Sequence, residues 1–370
     1  MRPRRIRILC ATRLLGKGGI ERSVSVFLSL LDRSRFEPYL CLWTSKNMAY
    51  PVPDDVPLID LNTFGRGKTP EATLKSISVF RRVRPDILYT HGVLLSSCMG
   101  LARRLSGSRC AWFPCFQDIL ESLRFIKPIV GSILRGATRY FAVSNKVADT
   151  MSERLNLPRA LFVNTPNSVD FSVIDRYHWK GPESDGVPRI VTMGRFSWEK
   201  DHATLIRAFA LLRRTRPAEL VLIGDGPLKE SYRQLAKSLG VAQDVTFTGW
   251  LAEPFSVLSN GNVFVLPSLS EGFGLALAEA MGAGLPCIST RCQGPQEIIQ
   301  DGENGILVDI GDPEGMAAAM EMILSNPERA AILARRGAET ARERYSAESQ
   351  IRVLERIFEN SAAAGSMGVS

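Results

Sequence analysis

The chain has 370 residues, 45% of them hydrophobic and 23% charged, with a formal net charge of +8. That balance suits a folded protein long enough for two cores and excludes a disordered or fibrous chain. No apolar run of about eighteen residues is present, so no spanning helix is expected, and seven cysteines beside three histidines show no zinc-knuckle spacing.

The N-terminus, MRPRRIRILCAT, sets basic residues before a short apolar run. That run is too short for a secretory leader and lacks a small-residue cleavage site, so residues 6–11 read as a first buried strand. Strand-like runs follow at 38–43, 86–90, 110–114 and 139–143, then at 189–194, 219–223, 244–248, 262–266 and 285–289. Helix-length patterns fall between them at 20–31, 70–83, 201–214, 228–239 and 273–282. This alternation predicts parallel sheets covered by helices. Residues 166–188, PNSVDFSVIDRYHWKGPESDGVP, are rich in Pro, Gly, Ser and Asp and mark a break. One domain is therefore expected over 1–168, a linker over 169–188 and a second domain over 189–345. A last helical pattern, 346–361, lies beyond the second sheet and is expected to return to the first domain, leaving 362–370 as a disordered tail. No internal repeat is seen. Cys10, Cys41, Cys98 and Cys287 lie in apolar surroundings that suit reduced thiols, which predicts a cytoplasmic location.

Charge is divided unevenly. Residues 1–170 carry 26 Lys and Arg against 13 Asp and Glu, whereas 171–370 carry 20 against 25. A basic half seeks nucleic acid, anionic lipid or a phosphorylated substrate, unless it serves solubility alone.

The richest stretch is PSLSEGFGLALAEAMGAGLPCIST, 267–290, directly after the apolar run NVFVL. Gly272, Phe273 and Gly274 make a flexible turn into a helix beginning near Leu275. A helix start offers unpaired backbone N–H groups and a positive dipole end to an anion. Glu271 precedes the helix and Glu279 lies within it. The first can accept hydrogen bonds from sugar hydroxyls, the second from a ribose diol. Two glutamates eight apart are more often a solvated face, but here they bracket a Gly-Phe-Gly turn and apolar residues separate them. Gly194-Arg195 closes a strand, and Lys200 follows five residues on, before a helix. Two such cations can clamp a diphosphate, the arginine as a fork and the lysine as a point charge, although a surface pair is the default for any one of them. Asp-x-Asp is absent, so a metal–diphosphate clamp has no evident ligands and no cofactor is expected. Gly18-Gly19 ends the first strand's loop, where glycine permits positive φ and close backbone approach to a ligand, or merely a tight turn. His91 follows DILYT, at the kind of strand end that lines the crevice of a doubly wound sheet.

Residues 267–290 resemble the E-x7-E motif of the family-four retaining glycosyltransferases, which have the GT-B fold. GLPCISTRCQGPQEIIQDGENGILVD at 284–309, GRFSWEKD at 194–201, LIGDGP at 222–227, AVSNKV at 142–147, PNSVD at 166–170 and GKGGIERS at 16–23 also resemble that family. The likeness is specific in the second half and looser in the first. It implies an α/β chain with two Rossmann-like parallel-sheet domains facing across a cleft, the first binding the acceptor and the second a sugar nucleotide. It further implies retaining transfer of a hexosyl or N-acetylhexosaminyl group from a nucleoside-diphosphate sugar, such as a UDP-sugar, to a lipid-linked or polysaccharide acceptor. Arg195 and Lys200 would then neutralise the leaving diphosphate in place of a metal. Glu271 and His91 would meet the transferred sugar. Gly18, Gly19, Gly194, Gly272, Phe273, Gly274, Leu275 and Glu279 would surround the donor. Where many relatives read Gly-Gly before Pro-Glu, this chain reads Cys292-Gln293-Gly294-Pro295-Gln296-Glu297, a variant found in relatives that extend lipid-linked or cell-surface polysaccharides.

The basic half carries a second expectation. Arg103, Arg104, Arg109, Arg124, Lys127, Arg135 and Arg139 lie in and around FIKPIVGSILRGATRY, 125–140, which mixes cations with apolar residues. That mixture suits peripheral binding to the anionic inner face of the cytoplasmic membrane, close to a lipid-linked acceptor; the same apolar positions could instead pack on the sheet. Two other function classes are a same-fold sugar-nucleotide epimerase and a basic nucleic-acid-binding protein. No basic, aromatic nucleic-acid signature is seen, so no nucleic-acid partner is expected.

Overall fold

A computed structural model describes residues 4–63, 65, 67–118, 127–177, 179, 181 and 186–367. The chain forms two compact units, Met1–Ser168 with Ala347–Ser370, and Val169–Ser346. In the first unit the elements run β1 (Ile6–Thr12), α1 (Gly19–Leu30), β2 (Phe36–Leu42), β3 (Leu58–Asp60), α2 (Thr69–Val83), β4 (Ile87–His91), α3 (Val93–Leu105), β5 (Ala111–Phe116), α4 (Lys127–Leu134), β6 (Tyr140–Ala142), α5 (Asn145–Leu155) and β7 (Phe162–Asn164). The sheet is parallel, in the order β3-β2-β1-β4-β5-β6-β7. The chain runs outward one way from β1 and the other way from β4. A crevice therefore opens where the C-terminal ends of β1 and β4 diverge. Pro114 stands inside β5 without an N–H to give, and pairing with β6 starts only after it, at Cys115 and Phe116.

The second unit runs α6 (Phe171–Ile174), β8 (Arg189–Met193), α7 (His202–Leu212), β9 (Glu219–Ile223), α8 (Lys229–Ser238), β10 (Val245–Gly249), α9 (Phe255–Leu258), β11 (Val263–Leu266), α10 (Leu275–Gly282), β12 (Cys287–Thr290), α11 (Pro295–Ile298), β13 (Ile306–Val308), α12 (Pro313–Ser325) and α13 (Pro327–Tyr345). Its parallel sheet has the order β10-β9-β8-β11-β12-β13, with the switch between β8 and β11. Ile190, Val263, Val265 and Ile288 of the sheet pack against Leu205, Phe209 and Leu212 of α7 and Met316 and Met320 of α12.

The last helix, α14 (Ala347–Met367), belongs to the first unit. Ala347, Ile351, Leu354 and Phe358 recur at helical spacing and are buried in that unit's core. Phe358 packs edge-on against Phe27 and, tilted, against Tyr89, Phe113 and Phe141. Burying a side chain of this size contributes about 1.5–3 kcal/mol. Arg35 holds the outer face through ion pairs with Glu355 and Glu359.

Two boundaries differ from the sequence reading. The helix continues to Met367 through residues expected as a loose tail, because Ala362, Ala363 and Ala364 are strong helix formers. The expected linker begins as packed structure: Val169 N–H donates to Tyr345 O at 2.7 Å, and the Phe171 ring lies so close to Gly282 that a Cβ there would be 2.3 Å away. Three strands of three residues each, β3, β7 and β13, join the sheets beyond those expected. All seven cysteines are free and buried. Among the described residues no helix is long and apolar enough to cross a membrane.

Candidate active site

The second unit's switch point carries most of the chemistry read from the sequence. Beyond β8, Gly194 N–H donates to Ile223 O at 3.0 Å and Phe196 N–H to Asp225 O at 3.0 Å, which fixes the loop against β9. Gly224 and Gly226 allow this approach, since a Cβ on either would meet backbone of residue 194 or 196 within 2.5 Å. Phe196 is sunk in the core, so Arg195 beside it is turned to the surface. Its guanidinium makes no ion pair or hydrogen bond among the described residues. A short helical turn, 198–200, then presents Lys200, and Asp201 caps α7 by accepting from Thr204 N–H at 3.3 Å.

Beyond β11, Leu269 N–H donates to Glu199 O at 2.9 Å, tying the two loops together. Lys200 Nζ lies 2.5 Å from Glu271 Oε1, with side chains 24% and 10% exposed. Ser268 Oγ donates to the same Oε1 at 2.9 Å, and Thr290 Oγ1 donates to Ser268 O at 2.5 Å. The sequence reading missed Ser268. Gly294 N–H donates to Glu271 O at 3.0 Å, and a Cβ on Gly294 would come 2.2 Å from Phe273 O, so the 292–297 loop clamps the glutamate loop from behind.

Gly274 starts α10 at φ 102°, a conformation that favours glycine. The N–H groups of Leu275 and Ala276 open the helix, as an anion site requires. Glu279 is buried one turn further in. The Phe273 ring is buried against Tyr345, with centroids 5.1 Å apart, so only its backbone is available to a donor. Gly272 is buried with it. Among the described residues no group of three His, Cys, Asp or Glu could hold a metal ion.

In the first unit, His91 ends β4 and is 4% exposed. Burial pushes its imidazole down to about 3, so the ring is neutral. Tyr89 packs on it at 4.4 Å between centroids, and Gln117, which the sequence reading did not single out, reaches Nδ1. Gly18 differs from expectation. Its φ of −125° is open to any residue, and an added Cβ would meet only the mobile end of the Glu21 side chain, 2.2 Å away.

The basic residues lie elsewhere. α3 starts beside His91 and its 13 residues carry the chain back to the opposite end of the strands, where Arg103 and Arg104 form its last turn. A groove of about 400 Å³ opens between α3 and α4, lined by Leu101, Arg103, Arg104, Arg109 and Ile133 over Trp112. Arg103 Nε donates to Cys110 O at 2.8 Å. Arg135 and Arg139 are exposed after α4. Val130 and Leu134 pack inward, leaving Ile129 of this helix exposed. Arg124 lies outside the described residues, as does the side chain of Lys127.

Residues 173–341 match the family described as "Glycosyl transferases group 1", and residues 17–173 match "Glycosyltransferase Family 4". The chain is 41% identical over 162 residues, 44% of its length, to lipopolysaccharide core biosynthesis glycosyltransferase LpsE of Rhizobium meliloti, and spans about half of that relative (47%). It is 26% identical, over 77% of both chains, to N-acetyl-alpha-D-glucosaminyl L-malate synthase of Bacillus anthracis. Its fold resembles that of Anabaena HepE in complex with UDP-glucose, with a TM-score of 0.81 and 17% identity over 96% of this chain and 100% of that one. With both halves matched in succession, and each half a Rossmann-like unit built around a switch point, the chain belongs to the family-four glycosyltransferases of the GT-B fold.

Proposed function

We propose that this chain moves a hexosyl or N-acetylhexosaminyl group from a UDP-sugar to a lipid-linked or polysaccharide acceptor during cell-surface polysaccharide assembly, with retention of configuration and without a metal ion. The observation that carries the reading is the second unit's switch point: an unpaired Arg195 beside a Lys200–Glu271 pair, at the start of α10. LpsE, named for lipopolysaccharide core biosynthesis, supports the acceptor class, and HepE, solved with UDP-glucose, supports the carrier.

The Lys200–Glu271 pair explains the chemistry. Lys200 and Glu271 neutralise each other until a diphosphate arrives. The lysine then turns to the phosphate oxygens, and the freed carboxylate accepts hydrogen bonds from the sugar. Arg195 takes two phosphate oxygens with its fork, and the α10 N–H groups add positive potential. As the bond from C1 to the phosphate oxygen breaks, charge develops where these groups point. The acceptor oxygen bonds to C1 on the same face, and its proton goes to the departing phosphate oxygen. In this reading Glu279 holds the ribose and His91 meets a sugar hydroxyl. Peripheral binding to the inner face of the cytoplasmic membrane is proposed for the α3–α4 groove, supported by three arginines and apolar walls.

Purified protein incubated with UDP-sugars and a lipid-linked saccharide tests the reading. The expected product is an extended glycolipid whose new anomeric centre, read by NMR, keeps the donor's configuration. An isomerised sugar nucleotide formed without acceptor would establish the epimerase instead.

A further inference from the structure

His91 closes β4, and Gln117 stands one residue past β5, its neighbour in the sheet. The register pairs His91 with Cys115, and alternate residues of a strand share a face, so Gln117 comes up beside the histidine. Gln117 Nε2 lies 3.2 Å from His91 Nδ1, and both side chains are more than nine-tenths buried. A neutral imidazole holds one proton, on Nδ1 or on Nε2. An amide N–H facing Nδ1 makes that nitrogen the acceptor and leaves the proton on Nε2. Two buried polar atoms then have no partner among the described residues, His91 Nε2 and Gln117 Oε1. One is a donor and the other an acceptor. Leaving both unmet costs more than the bond between the two side chains returns. A hydroxyl group has one donor and two acceptor positions, so it can meet both. Tyr89, packed on the ring, keeps its plane fixed.

We infer that Gln117 is a positioning residue whose side-chain amide donates to His91 Nδ1, holds the ring as its Nε2–H tautomer, and completes a donor–acceptor pair for one hydroxyl of the substrate. This rests on the reading of His91 as a sugar contact. It adds a source of specificity: a sugar lacking that hydroxyl leaves both atoms stranded, and a site built to hydrogen-bond a hydroxyl rejects an analogue without it.

The test is nitrogen NMR of the full chain with labelled histidine, the His91 signal being assigned by its loss in His91→Ala. Wild-type protein is expected to show the Nε2–H tautomer. Gln117→Glu keeps the size and exchanges a donor for an acceptor. It is expected to move the proton to Nδ1 and to lower kcat/KM on the order of a hundredfold, while UDP affinity stays within about twofold. Gln117→Ala is expected to lose the single-tautomer signal and on the order of tenfold in kcat/KM, with thermal melting as the check on folding. An Nδ1–H signal in the wild type, or an unmoved tautomer in Gln117→Glu, overturns the inference. Full turnover by His91→Ala overturns the sugar-contact reading itself, whatever the tautomer.

Discussion

The two units share one architecture, and the strand ends beside their switch points carry different equipment. In the second unit the β8 and β11 ends bring together Arg195, Lys200 and Glu271, all of them charged, with the loops tied by backbone hydrogen bonds. In the first unit the β4 and β5 ends carry His91 and Gln117, neutral and buried. The difference teaches a division of labour. In the proposed function, charge stands where the diphosphate departs, and uncharged hydrogen-bonding groups stand where hydroxyls are sorted. The basic residues of 1–170 are spread over both ends of the strands: Arg13 and Lys17 follow β1 at the crevice, whereas Arg103, Arg104 and Arg109 stand at the opposite end, between α3 and the start of β5.

The largest effects are expected at the charged end. Arg195→Ala and Glu271→Gln should each lower kcat on the order of a hundredfold or more, a loss of about 3–4 kcal/mol at the transition state, with unchanged melting temperature. A purified Arg195→Ala enzyme with near-normal turnover would break the comparison. Gly294→Ala sharpens it structurally. The added Cβ meets Phe273 O, which is backbone, so the Glu271 loop must shift. We expect a destabilisation of about 1–3 kcal/mol by denaturant melts and a matching fall in turnover; wild-type values for both would show that the loop has slack.

Protonation gives a third test. Burial holds both His91 and His202 at about 3 from an ordinary 6.5, with Lys200 adding to the shift on His202. Below pH 6.5 the unfolded chain takes up protons that the folded chain refuses until about pH 3. Stability should therefore fall with pH through that window, by about 1.4 kcal/mol per pH unit for each histidine. Asp32 and Glu71, held near 2 by their hydrogen bonds and cationic neighbours, contribute stability that is lost only as pH falls below their ordinary values of 3.8 and 4.5. The interval from pH 6.5 to about 5 thus isolates the histidines, and flat denaturation midpoints across it would contradict their burial as neutral rings. The smallest effect is expected at the groove. Arg104→Glu with Arg109→Glu should weaken co-sedimentation with anionic vesicles at low salt, each lost arginine contributing about 1 kcal/mol, and leave turnover on a soluble acceptor unchanged. Wild-type protein that stays in the supernatant would end the membrane reading.

Much of this arrangement was legible in the sequence. The long apolar runs 6–11 and 219–223 became β1 and β9 with nearly the expected bounds, since fully buried parallel strands announce themselves by composition. Arg195, Lys200 and Glu271 were visible because a strand, a turn and a helix surround them in order. Strands β3, β7 and β13 were not, at three residues each, too short for any periodicity to register. The core packing of the Phe273 ring was not legible, because a turn residue's backbone and side chain can serve different masters, one the site and the other the core. Gln117 carries no local signal at all. Its meaning depends on the register of β4 against β5, which only pairing reveals.

The most direct test of the central claim is titration calorimetry of UDP in EDTA, on the wild-type chain and on Arg195→Ala and Lys200→Ala. The account predicts metal-free binding in the wild type and affinity weakened on the order of tenfold or more in each variant, as expected when a charge-assisted contact to phosphate is removed. Equal UDP affinity in all three proteins, or binding that appears only when Mg²⁺ or Mn²⁺ is restored, would contradict it.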